Sequence, residues 1–339
     1  MKKVRFFNPG KEFTIHQKEY VDEYIKTRTS GDLILRGALE SFETNMAKYL
    51  GVKHAIGVNS GTDALFISLK ALGITTGDRV LVPSHTFVAT AQVVNQLGAI
   101  PVLYDLGEIV GDTEGIKAII PAHIAGKFDM NMIGHPIPVI EDACQALGAE
   151  YDGQKAGTFG ATGCFSFYPA KILGSPGDAG MIVTNSDAID SFARGYRNHC
   201  KGFNSLWGIN SRLDNVWAAE LDIKLGRIDE LLDRRKEIAE MYLNGIGGRA
   251  ELPTNEEGRV WQDFIIRTTR RDELFEYLKE NGIETLKNEY PFPIEKKNCP
   301  KSISYEAETL RLPIDPVLTN EEINYIIKTI NTFDVKYYV

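Results

Sequence analysis

Two patterns alternate along this chain: apolar residues recurring every three or four positions, and short unbroken apolar runs. The first marks a helix with one buried face, the second a strand buried on both faces. Ile15, Tyr20, Val21, Tyr24 and Ile25 predict a helix within residues 1–30, and Leu39, Phe42, Met46 and Leu50 predict another over 39–50. Then the runs begin. His54–Val58, Arg79–Pro83 and Ile100–Tyr104 read as strands, separated by helical stretches at Ala64–Leu72 and Phe87–Leu97. Further β segments follow at Ile116–Ile120, Ile137–Ile140, Cys164–Tyr168 and Met181–Thr184. Strands alternating with helices predict an α/β fold with a mostly parallel central sheet covered on both faces.

After residue 184 the pattern changes. A single helical period runs from Leu213 to Leu243, long enough to carry the chain from one domain to another. Beyond it, a strand at Trp261–Arg267, a helix at Asp272–Glu280 and a last helix at Glu321–Phe333 make a smaller α+β unit. The expected division is a large domain over 1–225, with an N-terminal arm, and a small C-terminal domain over 226–339. Two crossovers are too short for the covering helix a parallel sheet needs, those around 105–115 and 124–137. Both are rich in glycine, and shortened or missing helices are expected there.

Composition excludes more than it suggests. The chain has 339 residues and a net charge of -8, which argues against a sequence-independent grip on nucleic acid. No apolar run approaches membrane-spanning length, and the first residues lack the apolar core of a signal peptide. The four cysteines, Cys144, Cys164, Cys200 and Cys299, show neither metal-ligand nor redox spacing. A reduced, cytoplasmic protein without a metal is the expectation.

Ligands of parallel sheets bind beyond the carboxyl ends of the strands, so those ends carry the candidate chemistry. Ser60-Gly61-Thr62-Asp63 opens a helix, where free N–H groups and a hydroxyl suit a phosphate; a plain N-cap explains them as well. Phe87 could stack on a planar ring, or simply be buried, and His85 beside it is equally open. Glu141 and Asp142 end a buried strand, and alternation sends them to opposite sides. One of them could meet a protonated ring nitrogen, with Gln145 one turn on, but these residues alone do not choose between that and a helix cap. Ser166 and Tyr168 share a strand face. Lys171 follows in a loop of Gly, Pro and Asp, where a cramped, desolvated amine could be driven neutral; taken alone, a solvated loop lysine explains it better. Asn210 and Arg212 precede the long helix, and Arg212 could hold an anion or merely a surface carboxylate. Taken together, a phosphate cradle, a stacking ring, an acid and a lysine describe a pyridoxal phosphate site.

The motifs Ser60-Gly-Thr-Asp-Ala64, Pro83-Ser-His-Thr-Phe-Val-Ala-Thr90, Glu141-Asp-Ala-Cys-Gln145, Ser166-Phe-Tyr-Pro-Ala-Lys171, Gly177-Asp-Ala-Gly180 and Asn210-Ser-Arg-Leu-Asp214 stand in one order. In these the chain resembles the DegT-type nucleotide-sugar aminotransferases, fold type I pyridoxal phosphate enzymes, from about Leu39 to about Phe333. The resemblance implies an aspartate-aminotransferase-like large domain and a cytoplasmic homodimer with shared sites, serving deoxyamino-sugar and cell-surface polysaccharide synthesis. It implies Lys171 as the Schiff-base lysine and proton shuttle, Asp142 on the pyridine nitrogen, Gln145 on the ring oxygen and Phe87 on the ring face. Gly61, Thr62, Asp63 (through its N–H) and Ser166 would hold the phosphate, and Asn210 would reach the phosphate of the neighbouring subunit. Arg212, His85 and Tyr168 are the candidates to meet substrate. L-Glutamate would donate the amino group and a nucleotide-linked keto-sugar would receive it, with pyridoxamine phosphate between the two halves of a ping-pong cycle. Sugar dehydratases on the same scaffold carry histidine where Lys171 stands. A non-catalytic regulatory or scaffold homologue would be expected to lose part of the set Lys171, Asp142, Gln145 and Ser166.

Overall fold

The computed structural model describes residues 3–201 and 206–337. The chain starts with two helices, α1 (Pro9–Ser30) and α2 (Gly37–Leu50). Alternating elements follow: β1 (His54–Val58), α3 (Gly61–Ala71), β2 (Arg79–Pro83), α4 (Ala89–Gln96), β3 (Ile100–Tyr104) and β4 (Ala118–Ile119). Next come β5 (Ile140–Asp142), a two-strand hairpin of β6 (Glu150–Tyr151) and β7 (Gln154–Lys155), then β8 (Thr162–Ser166) and β9 (Gly180–Thr184). The remainder is α5 (Asp187–Tyr196), α6 (Asn215–Leu225), α7 (Ile228–Gly245), β10 (Phe264–Arg267), α8 (Arg271–Glu280), β11 (Leu286–Lys287), α9 (Pro300–Glu308), β12 (Thr309–Leu312) and α10 (Asn320–Tyr337).

The central sheet runs in the order β3-β2-β4-β5-β8-β9-β1. Parallel bridges Ile119–Val139 and Ala122–Asp142 join its two halves. β9 alone runs antiparallel to its neighbours β1 and β8, so the sheet is mixed but mostly parallel. Burial on both faces explains the unbroken apolar runs: Ile56, Cys164 and Ile182 are buried on one face, and their neighbours Ala55, Phe165 and Met181 on the other. One face packs against α2 and α6 through Leu39, Phe42, Met46, Leu221 and Phe165. The other packs against α3, α4 and α5 through Leu65, Ile67, Val93 and Ala193.

Neither short crossover contains an α-helix: the first has no helical turn, and the second has just three-residue 3-10 turns at Ile124–Gly126 and Met130–Met132. Loop side chains take the helices' place there. Ile116, Val110 and Ile137 close over Leu81, Val102, Tyr104 and Ile119. The helical stretch expected over 213–243 is two helices instead of one. α6 ends at Leu225, and α7 begins after Gly226 and Arg227, whose backbone leaves the helical region at φ -117° and ψ 18°. Glycine is a poor helix former, and Arg227 turns aside to meet Glu19 and the Tyr20 hydroxyl. The periodic pattern hid the break because both halves bury the same kind of apolar face.

α7, α8 and α10 cover the sheet β10-β12-β11 in a separate core built on Tyr242, Phe264, Leu310, Leu312 and Ile326. Among the described residues, no helix is long and apolar enough to cross a membrane.

Candidate active site

A cavity of about 650 Å³ opens at the carboxyl edge of the central sheet, between it and the C-terminal unit. That volume suits a cofactor together with a substrate. Gly61, Thr62, Phe87, Asp142, Gln145, Ser166, Tyr168 and Lys171 all line it. Residues from four separate segments therefore meet at one place, because each lies at or just beyond the end of a strand (β1, β2, β5 or β8) that points to the same edge.

The start of α3 forms one wall. Ser60 caps the helix, its Oγ accepting the Asp63 N–H at 3.1 Å, so that N–H is engaged inside the turn. The Asp63 carboxylate turns to Ser211, whose hydroxyl it accepts at 2.6 Å, and lies outside the cavity lining. The first-turn N–H groups at Gly61 and Thr62 have no carbonyl within the helix to bond. Glycine is required here by close approach. A Cβ on Gly61 would lie 2.7 Å from Cys144 Sγ and 2.9 Å from Ser166 Cβ, and one on Gly180 would lie 2.2 Å from the Ser60 carbonyl carbon. The two glycines thus let the helix start settle directly onto the strand carrying Ser166, leaving an anion-sized cradle of N–H and hydroxyl donors.

β5 resolves the choice between its two acids. Glu141 is fully buried on the far side, where it accepts N–H groups of Gly157, Phe159 and Gly160 at 2.6–2.8 Å and the ring of His123 at 3.1 Å. Asp142 faces the cavity. Thr90 donates to its Oδ2 at 2.7 Å and the Cys144 N–H to its Oδ1 at 3.2 Å. Thr90 is itself backed by Thr86, the two hydroxyls 2.9 Å apart and both fully buried. The carboxylate is therefore oriented before any ligand arrives.

Gln145 is oriented too. Its Oε1 accepts the Ala125 N–H at 2.8 Å, which leaves Nε2 as the donor, 3.4 Å from the Tyr290 hydroxyl. Lys171 sits in the turn after β8, where its own N–H donates to Tyr168 at 2.8 Å. Burial pushes the Cys144 thiol well above its ordinary pKa, with the charge of Asp142 adding to the shift and that of Lys171 opposing it. Phe87 and Tyr168 expose about half their surface at the cavity mouth.

Besides Asp63, three expected site residues lie elsewhere. His85 is buried behind Tyr290, paired with Glu306 at 3.0 Å and edge-on to Tyr290 and Tyr305, and it lines a neighbouring cavity. Arg212 donates to Asn198 at 3.2 Å, and Asn210 is exposed on the surface. Both lie outside this chain's cavity. Conversely, Thr90, Gln262 and Arg311 reach the site or its carboxylate without having been singled out. Thr90 stands one turn beyond Phe87, its N–H donating to the Phe87 carbonyl at 3.1 Å, within the Pro83–Thr90 motif. Arg311 lies between buried Leu310 and Leu312, the alternation of a strand with one polar side.

The residues fit pyridoxal phosphate: a donor cradle for its phosphate, a fixed carboxylate, an amide presenting N–H, a lysine and an exposed ring share one cavity. Comparison with known proteins agrees. Residues 14–331 match the DegT/DnrJ/EryC1/StrS aminotransferase family. The dTDP-3-amino-3,4,6-trideoxy-alpha-D-glucose transaminase of Streptomyces venezuelae is 37% identical, with 85% of each chain covered. A protein of Geobacillus stearothermophilus named as a pleiotropic regulatory protein is 35% identical over 90% of this chain and 91% of its own. An X-ray crystal structure of S. venezuelae DesV in complex with a ketimine intermediate superposes with a TM-score of 0.91 at 33% identity, covering 98% of this chain and 99% of that one.

Proposed function

We infer the function from one premise: the chain belongs to the DegT/DnrJ/EryC1/StrS aminotransferase family. We propose that it moves the amino group of L-glutamate onto the ketone of a nucleotide-linked deoxysugar, in a ping-pong cycle carried by pyridoxal phosphate and pyridoxamine phosphate. The observation that carries this reading is the single cavity holding Lys171, an anchored Asp142 and an oriented Gln145.

When bound, the cofactor supplies an electron sink for the pair left at the substrate carbon as its proton departs. The chain's own residues do the rest. Thr62, Ser166 and the start of α3 hold the phosphate, and Phe87 lies against the ring. Asp142 keeps a negative charge at the ring nitrogen, and Gln145 donates to the ring oxygen. Lys171 Nζ removes the proton from the carbon bearing nitrogen and returns it on the other side of the reaction. Arg311 supports a carboxylate-bearing donor: its guanidinium faces the cavity, its Nε is buried without a hydrogen-bond partner, and Asp263 lies 3.6 Å away. A partly buried guanidinium with one ion partner as far off as 3.6 Å favours an incoming carboxylate.

The working form is a homodimer in which Asn210 serves the neighbouring site and Arg212 meets substrate. Support comes from the exposure of Asn210 and of apolar residues near it and on α1: Trp207 is 93% exposed, with Phe13, Ile15, Tyr24 and Ile25 also uncovered. The regulatory name carried by the Geobacillus relative favours a second, non-catalytic reading. Against it stands the intact set Lys171, Asp142, Gln145 and Ser166.

The test is a panel of dTDP-, UDP- and GDP-linked 3- and 4-keto-sugars with glutamate, reading 2-oxoglutarate. Product with at least one sugar, abolished in Lys171→Ala, is expected. Wild-type protein that binds the cofactor yet leaves its visible absorbance unchanged by glutamate would rule out that donor; no turnover on any sugar would favour the regulatory reading.

A further inference from the structure

The turn that carries Lys171 is held from outside itself. Gln262, just before β10 in the C-terminal unit, places its amide against the backbone on both sides of the lysine. Its Oε1 accepts the Ile172 N–H at 3.0 Å, and its Nε2 donates to the Ala170 carbonyl at 3.0 Å. The two bonds flank Lys171 as a neighbouring strand would, although these residues lie about ninety positions apart in sequence. Gln262 is 8% exposed and lines the cavity.

The backbone that carries this side chain is braced in turn. Arg235 of α7, 5% exposed, donates to the Trp261 carbonyl at 3.1 Å and the Gln262 carbonyl at 3.3 Å. Trp261 is buried, stacked on Phe264 at 5.4 Å and covered by Arg259 at 4.1 Å. A continuous set of contacts thus runs from the C-terminal core to the peptide groups flanking the lysine. An amide in this bridging position removes the freedom of those peptide groups to rotate, and that rotation would swing the lysine stem.

We propose that Gln262 is a positioning residue for Lys171, through which the C-terminal unit sets where the lysine amine stands. The proposal rests on the reading of Lys171 as the residue that bonds the cofactor. A group acting through Lys171 matters for a ligand joined to the lysine and not for one merely seated in the cavity. The two cofactor forms separate these cases. Pyridoxal phosphate condenses with the lysine amine, losing water. Pyridoxamine phosphate has no aldehyde and binds without that bond.

The experiment compares wild type, Gln262→Met, which keeps side-chain length without the amide, and Gln262→Glu, which keeps the acceptor for Ile172. Capture of pyridoxal phosphate by cofactor-free protein is timed by visible absorbance, trapped with borohydride and mapped to Lys171; affinity for pyridoxamine phosphate is measured by calorimetry. Gln262→Met is expected to slow capture about tenfold while pyridoxamine phosphate affinity stays within about twofold of wild type, with Gln262→Glu between. Capture at the wild-type rate, or equal losses for both forms as a general lesion would give, overturns the inference. Should Gln262→Met fail to fold, Gln262→Glu carries the same comparison. Trapping at Lys171 in wild type with no slowing in the variants sinks this inference alone; no trapping at Lys171 in wild type sinks the functional reading and this inference with it.

Discussion

Replacing Thr90 with valine tests how the site holds its acid. The shape is nearly unchanged, so no cavity forms; what disappears is the 2.7 Å hydrogen bond to Asp142 Oδ2. A hydrogen bond to a charged group contributes about 1.5–3 kcal/mol. Thr90 and Thr86 are fully buried and Asp142 is 8% exposed, so water does not readily replace the lost donor, and the Thr86 hydroxyl loses a partner as well. Asp142 retains one anchor, the longer 3.2 Å bond from Cys144. If about 1.5–3 kcal/mol of the carboxylate's orientation is lost from the transition state, kcat/KM should fall about 10- to 150-fold. The assay is 2-oxoglutarate release with the accepted sugar, alongside absorbance titration with pyridoxal phosphate. Thr90→Ser, which keeps the hydroxyl, should recover most of the activity. A Thr90→Val enzyme within twofold of wild type in both measurements would refute the claim that this bond orients the acid.

Two further outcomes follow from charges placed by the fold. Arg311→Met should raise KM for glutamate about 10- to 100-fold, the range of a charge-assisted carboxylate contact, and leave KM for the sugar nearly unchanged. Two-substrate kinetics decide it: a rise confined to the sugar would move Arg311 to the acceptor side. Acid should weaken the contact between the sheet and the C-terminal unit. Burial depresses the His85 pKa below its ordinary 6.5, so the unfolded chain takes up that proton first and stability falls as pH drops through 6.5. Burial raises the Glu306 carboxyl but is outweighed by hydrogen bonds from His85 and Lys296, which hold it below 4.5, so its contribution is lost at lower pH still. In urea titrations, His85→Gln should flatten the upper part of this dependence, by at most about 1.4 kcal/mol per pH unit. An unchanged profile would show that His85 does not carry it.

Much of this protein was readable from order alone. Unbroken apolar runs placed β1, β2, β8 and β9 to within a residue or two, because burial on both faces leaves little room for polar residues; β3, a partly exposed edge strand, was placed by the same kind of run. The turn residues after those strands marked the cavity, since open parallel sheets put ligands at that edge. The thin crossovers were legible too, because chain length limits what can fit. Hairpin β6–β7, α5, α9 and β12 escaped notice: they are short or carry mixed faces, and their partners, not their periodicity, make them regular.

Sidedness and distant pairing belonged to the tertiary structure. Alternation separates Glu141 from Asp142 along the strand but cannot say which side holds the cavity. That depends on the N–H groups of residues 157–160 waiting for Glu141, and on Thr90 meeting Asp142. His85 looked as near to the ligand as Phe87, two residues on, yet the fold turns it behind Tyr290 toward Glu306. Arg311 and Gln262 arrive from the far end of the chain, where no local signal links them to Lys171. Local order determines which stretches are buried and which turns carry chemistry. Which side chains then meet is set by close packing of segments distant in sequence, and a one-dimensional pattern contains no distance between them.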